Sequence, residues 1–167
     1  MSTTIKNPYI GPRTFQKNEG HLFYGREREA RDLIALVASE RLVVFYAQSG
    51  AGKSSIVNTR LIPSLEAKEY EVLPVGRVSG DIADGYDVEN IYIYNLLRSL
   101  EQHGTDPAVL AKLTLPEFLA HLGTNEKGFF YDPSPVEVIQ EGDEVEVVRR
   151  AVVIDQFEEL FSTHPEA

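Results

Sequence analysis

Apolar positions along the chain change period several times, and each change predicts an element. Ala30, Leu33, Ile34 and Val37 recur at the i, i+3, i+4, i+7 spacing of an amphipathic helix that begins near Gly25. The run Leu42-Val43-Val44-Phe45-Tyr46 is continuous, β-branched and aromatic, as expected of a strand covered on both faces in a parallel sheet. Gly50 and Gly52 break the run. A second helix carrying Ile56, Val57 and Leu61 is predicted from Lys53 to a stop at Pro63, because the residue before a proline avoids helical geometry. A strand over residues 72–78, helices over 88–103 and 115–122, a strand over 151–155 and a helical turn over 156–161 complete the series. The stretch 123–143 reads as a loop leading into a hairpin, 136–140 against 145–149, turned at Glu141-Gly142-Asp143. Residues 1–24 mix Pro, Gly and polar positions with Tyr9, Ile10 and Phe15. They read as an extended lead-in that packs its aromatics onto a core formed by residues 25–167. Strands alternating with helices predict an α/β layered fold on a parallel sheet.

The break after the first apolar run carries chemistry. Residues 47–54 read Ala-Gln-Ser-Gly-Ala-Gly-Lys-Ser, which matches the Walker A pattern G-x-x-x-x-G-K-[ST] everywhere but its first position, where Ala47 replaces Gly. Gly50 and Gly52 let successive backbone N–H groups turn inward, and together with the start of the next helix they form a nest for phosphate oxygens. Gln48, Ser49, Gly50, Ala51, Gly52, Lys53, Ser54 and Ser55 are therefore the expected nucleotide-binding residues. Lys53 reaches the terminal phosphates, and the Ser54 hydroxyl takes Mg²⁺. Such a loop needs a carboxylate at the end of a buried strand as its Walker B partner. Ala151-Val152-Val153-Ile154-Asp155 supplies it, so Asp155 is the second expected metal residue. Glu158 and Glu159 follow, either of which is placed to activate water. A guanine-binding Asn-Lys-x-Asp element is not matched by the nearest string, Asn125-Glu126-Lys127-Gly128, and adenine is the expected base.

Composition narrows the setting. With no Cys, disulfides and thiolate metal sites are excluded. His21, His103, His121 and His164 are scattered without ligand spacing. No apolar run approaches a signal peptide or a membrane span, so a cytoplasmic protein is expected. The formal net charge of -10 repels a phosphate backbone, which makes nucleic acid a poor partner for this segment.

Four strings taken together resemble a known class. Tyr9-Ile10-Gly11-Pro12-Arg13-Thr14-Phe15 lies in the lead-in, and Phe23-Tyr24-Gly25-Arg26-Glu27-Arg28-Glu29 precedes the phosphate loop. Ser49 to Ser55 form the loop itself, and Val152-Val153-Ile154-Asp155-Gln156-Phe157-Glu158-Glu159-Leu160-Phe161 holds the acids. They resemble the STAND class of signalling ATPases, most closely the bacterial novel STAND NTPase group. The resemblance implies a P-loop NTPase of AAA+/STAND type, a three-layer α/β/α sandwich, with Gly25, Arg26 and Glu27 lying against adenine and ribose. It implies a switch that rests with ADP, exchanges it for ATP and assembles with copies of itself. Related NACHT proteins carry acids a few residues past the metal Asp, a pattern that Glu158 and Glu159 match. Gln156 departs from the Asp-Glu pairing of many AAA+ enzymes, which suits slow hydrolysis. The sensor strand, closing strand and helical lid of the class have no counterpart before Ala167. The expectation is therefore a C-terminally incomplete domain whose bare sheet edge promotes association or poor solubility. Two other classes compete: a nucleotide-binding assembly module without turnover, and an AAA+ or origin-recognition-like ATPase acting on DNA. The charge counts against the second.

Overall fold

The computed structural model describes residues 11–81, 86–135 and 148–161. The chain divides into two compact units between Glu71 and Val72.

The first unit is helical. Helix α1 (Glu27–Ser39) buries Ala30 and Leu33, with Ile34 and Val37 half-buried beside them, so the stripe expected from the apolar spacing is the packed one. Helix α2 (Lys53–Ile56) runs without a break through a π turn (Val57–Leu61) into α3 (Ile62–Glu66). Ile56, Leu61 and Leu65 from these segments are buried with the α1 stripe residues. Pro63 does not end the helix as expected. It sits in the first turn of α3, directly after a turn in which the Ile62 N–H reaches back to the Val57 carbonyl. The wider π turn relieves the clash that a proline ring otherwise makes with the carbonyl four residues earlier.

The lead-in is fastened to this helix from Gly11 onward. A 3₁₀ turn (Lys17–Leu22) places Phe15 edge-on to Phe23 at 5.3 Å between ring centroids. The Phe15 N–H donates to Ser55 Oγ at 3.2 Å, and Asn58 Nδ2 donates to the Phe15 carbonyl at 3.2 Å. Tyr9 and Ile10 lie outside the described residues. Ahead of the turn, the Arg13 guanidinium grips both Glu19 oxygens at 2.8 and 2.5 Å, and the Gln16 N–H donates to the same carboxylate at 2.8 Å. The Arg13 hydrogen bonds, then the Gln16 N–H, pull the Glu19 carboxyl from its ordinary 4.5 to about 2. The folded value lies below the unfolded one, so this contribution to stability is complete above about pH 4.5 and fades as pH falls toward 2. An NMR titration of Glu19 is expected to show the low midpoint, and Arg13→Gln is expected to return it toward the ordinary value.

The expected strand 42–46 is the clearest local departure. The segment belongs to no strand; Leu42, Val44 and Tyr46 are 84%, 77% and 86% exposed. A strand apolar on both faces forms only between two partners, and the pairings among the described residues join other segments.

Those pairings run along residues 70–76, 122–131 and 149–155. Strand β1 (Tyr70–Val72) pairs with β4 (Arg149–Ala151). The pairing extends past both strands as Leu73 N–H to Ala151 O, Gly76 N–H to Val153 O and Asp155 N–H to Gly76 O. Residue numbers rise together on the two sides, and Gly76 bridges Ile154 in parallel. The two expected strands, 72–78 and 151–155, thus meet as a small parallel pairing. The observed fold is mixed α/β.

Helix α4 (Ile91–Leu100) starts at Asn90, whose side chain accepts from the Tyr92 and Ile93 N–H groups. It stops at Glu101, whose carboxylate accepts from the N–H groups of His103, Gly104 and Thr105, so the expected helix 88–103 is trimmed at both ends. Tyr94, Leu97 and Leu100 from α4 pack with Leu110 of α5 (Pro107–Leu110), Phe118 of α6 (Leu115–Ala120), Leu73 and Leu122. An antiparallel hairpin, β2 (Leu122–Asn125) with β3 (Gly128–Tyr131), packs Phe129 and Tyr131 onto this core. Its turn is the Asn125-Glu126-Lys127-Gly128 string, closed by the Lys127 N–H to Asn125 Oδ1 at 2.8 Å. The first part of the stretch expected as loop, 123–143, thus forms a hairpin. Most of the hairpin expected at 136–149 lies outside the described residues, and Arg149 belongs to β4.

Candidate functional site

The residues expected to meet a nucleotide fall into two groups, one in each unit. In the first unit, Gln48 to Gly52 form a turn closed by the Ala51 N–H to the Gln48 carbonyl at 3.1 Å. Gly50 and Gly52 sit at φ 79° and 82°, left-handed values that cost other residues roughly 1–2 kcal/mol, and nothing lies within 4 Å of where a Cβ would project. The sequence demands glycine here for backbone shape, and the space beside the loop is open. Gly52 caps α2, so Lys53, Ser54 and Ser55 occupy its first turn.

The Lys53 ammonium bends back over the loop and donates to the carbonyls of Ala47 at 2.7 Å and Gln48 at 3.4 Å. Ser55 is buried and accepts from the Phe15 N–H, so its side chain fastens the lead-in. The Gly25-Arg26-Glu27 element lies against the same loop. Arg26 Nη2 donates to the Ala51 carbonyl at 3.1 Å while Nη1 holds Glu29 at 3.1 Å. Gly25 takes φ 81° and donates its N–H to Glu27 Oε1 at 3.1 Å. The N–H groups of Glu27 itself and of Gly25 hold the Glu27 carboxyl below its ordinary range. Arg60, the last residue but one of the π segment, donates to the Phe23 carbonyl at 2.5 Å and pins the approach to the element. Two strings far apart in sequence are thereby brought together around one loop.

In the second unit, Asp155 ends the parallel pairing. Its Oδ1 accepts from the Gln156 N–H at 3.0 Å, and its Oδ2 lies 3.9 Å from the Arg77 guanidinium. Gln156 adopts φ 58°, turning the chain sharply from strand into a 3₁₀ turn (Phe157–Phe161). Glu158 on that turn is exposed. Glu159 is half-buried and accepts a hydrogen bond from the Ser79 hydroxyl. Ser79 and Arg77 were not singled out by motif. Their signal is position alone, since they follow directly on the strand that pairs with the Asp155 strand.

A carboxylate such as that of Asp155 is a hard oxygen donor of the kind that suits Mg²⁺. Among the described residues no group of three or more His, Cys, Asp or Glu side chains stands together as a metal cage. No helix among them is long and apolar enough to cross a membrane.

No curated protein and no solved structure matches the chain significantly. A family model does: the one described as Novel STAND NTPase 1 matches residues 8–167, nearly the full 167 residues and all four strings noted above. The chain belongs to the novel STAND NTPase 1 family.

Proposed function

We propose that this chain binds Mg-ATP and hydrolyses it slowly, as the nucleotide-dependent switch of a signalling protein that assembles with copies of itself. The observation that carries the reading is the loop of residues 47–54. Two left-handed glycines, open space beside them and a lysine opening the next helix support the reading of a phosphate-binding loop.

In this reading the backbone of Gln48 to Ser55 cradles the phosphates. Lys53 leaves the Ala47 and Gln48 carbonyls, onto which it now folds, for the phosphate oxygens. Gly25, Arg26 and Glu27 hold adenine and ribose; the Arg26–Ala51 bond supports this by placing that element beside the loop. Ser54 and Asp155 are the residues for Mg²⁺. Bound with the nucleotide, the ion would withdraw charge from the phosphate oxygens. The position after Asp155 holds Gln156, which cannot take a proton from water as a carboxylate does, and this supports slow turnover. It equally favours a second reading, a nucleotide-dependent assembly module without turnover.

Phosphate release measured under saturating Mg-ATP separates the two. Slow release that disappears in Asp155→Asn supports the switch. No release by a chain that binds ATP leaves the assembly module.

A further inference from the structure

We propose that Arg26 is a positioning residue of the phosphate loop: its guanidinium holds the Ala51 carbonyl and so aims the Gly52 N–H into the phosphate cradle. The inference rests on the reading of residues 47–54 as a phosphate-binding loop. It leaves adenine and ribose to the backbone of the Gly25-Arg26-Glu27 element and to its other side chains.

The peptide between Ala51 and Gly52 needs such a support. A planar trans peptide carries its carbonyl and the following N–H on opposite sides, so only one of the two can face a phosphate. Gly52 lies at φ 82°, with nothing within 4 Å of where a Cβ would project. The freedom of glycine that lets the loop fold also makes it cheap for this peptide to turn over. Its carbonyl oxygen would then face the phosphate and repel it.

The peptides on either side are tied by the loop and the helix themselves. The Ala51 N–H donates to the Gln48 carbonyl at 3.1 Å, and the Gly52 carbonyl accepts from the Ile56 N–H at 3.0 Å. The peptide between them is tied by Arg26, whose Nη2 donates to the Ala51 carbonyl at 3.1 Å. With that carbonyl held, the Gly52 N–H points away from the guanidinium.

The arginine is fixed at both ends. Its own carbonyl accepts from the Ala30 N–H at 3.0 Å as α1 begins. At the other end Nη1 donates to Glu29 Oε1 at 3.1 Å, three residues along the same helix. The planar fork of a guanidinium suits two acceptors in fixed directions, so Glu29 braces the arm that holds the loop.

The test is the calorimetric affinity of the full chain, with Mg²⁺, for ATP and for inorganic triphosphate, which has neither base nor ribose. The proteins are wild type, Arg26→Gln, Glu29→Ala and the double variant. Arg26→Gln is expected to weaken both ligands by the same factor, about three- to tenfold, the scale of one hydrogen bond, at an unchanged thermal midpoint. Glu29→Ala is expected to weaken both by about two- to fourfold, the scale of an exposed ion pair, and to add nothing in the double variant. In NMR spectra the Gly52 amide of the wild type is expected to shift on saturation with ATP, and that shift to shrink in Arg26→Gln.

A loss of ATP affinity with triphosphate affinity unchanged would put the Arg26 side chain on the base or ribose. That result overturns the inference and leaves the loop reading standing. Wild-type affinity of Arg26→Gln for both ligands overturns the inference as well. Should Arg26→Gln fail to fold, Glu29→Ala carries the same comparison, and wild-type affinities there overturn it. A folded wild type that binds neither ligand overturns the reading of the loop itself.

Discussion

Lys53→Ala is expected to weaken ATP and ADP binding by about 10- to 100-fold while leaving the fold intact. Lys53 opens the first turn of α2, and its ammonium donates to the Ala47 and Gln48 carbonyls of its own loop. Removing it exposes two carbonyls that solvent can reach, and alanine is the best helix former for the vacated position. The loss therefore falls on the ligand. A charge-assisted hydrogen bond to phosphate is worth about 1.5–3 kcal/mol, and each 1.4 kcal/mol is about a factor of ten in affinity. Calorimetric titration of variant and wild type, with circular dichroism as the control for folding, measures both halves of the prediction. Equal affinities would mean that the lysine stays on its backbone carbonyls when nucleotide binds.

Phe118→Ala is expected to destabilise the second unit by about 3–5 kcal/mol, the cost of truncating a buried aromatic. Phe118 is wholly buried and stacks on Tyr131, with ring centroids 6.2 Å apart and an interplanar angle of 11°. It packs in one cluster with Leu97, Leu100, Leu110 and Leu122, so the cavity would be walled by α4, α5 and the hairpin and could not collapse without moving all three. Urea unfolding followed by tyrosine fluorescence reads the change as a shift in midpoint. A change under about 1 kcal/mol would show that the aromatic is surface rather than core.

The sequence is legible where the physics is local. The α1 stripe comes from spacing alone, and Ala30 and Leu33 are buried as that spacing requires. The two loop glycines are needed for a backbone shape that few other residues adopt, so their positive φ values follow from their identity. Asn90 marks the start of α4 because a side-chain oxygen there satisfies two N–H groups of the first turn. Legibility fails where the answer depends on distant partners. Leu42 to Tyr46 have the composition of a central strand, but composition cannot supply the neighbours that a strand pairs with, and the segment is left exposed. Pro63 signals a helix stop, and only the π turn before it, a feature with no sequence signature, lets the helix pass.

The candidate site divides along the same line. Gly50, Gly52, Lys53 and Asp155 are readable because each belongs to a motif with a physical reason for its spacing. The Arg26 contact with Ala51 joins residues 25 positions apart, and motif reading could only borrow it from resemblance. Ser79 belongs to no motif. It emerges only when the parallel pairing brings the end of one strand beside the turn that follows the other.

The central claim is that the loop of residues 47–54 binds the phosphates of a nucleotide together with Mg²⁺, and isothermal titration of the folded wild-type chain with ATP, in the presence and absence of Mg²⁺, tests it most directly. Saturable binding at one site per chain, tighter with Mg²⁺ present, is the predicted result. A chain folded by circular dichroism that releases no heat and shows no saturation with either form of ATP would contradict the account.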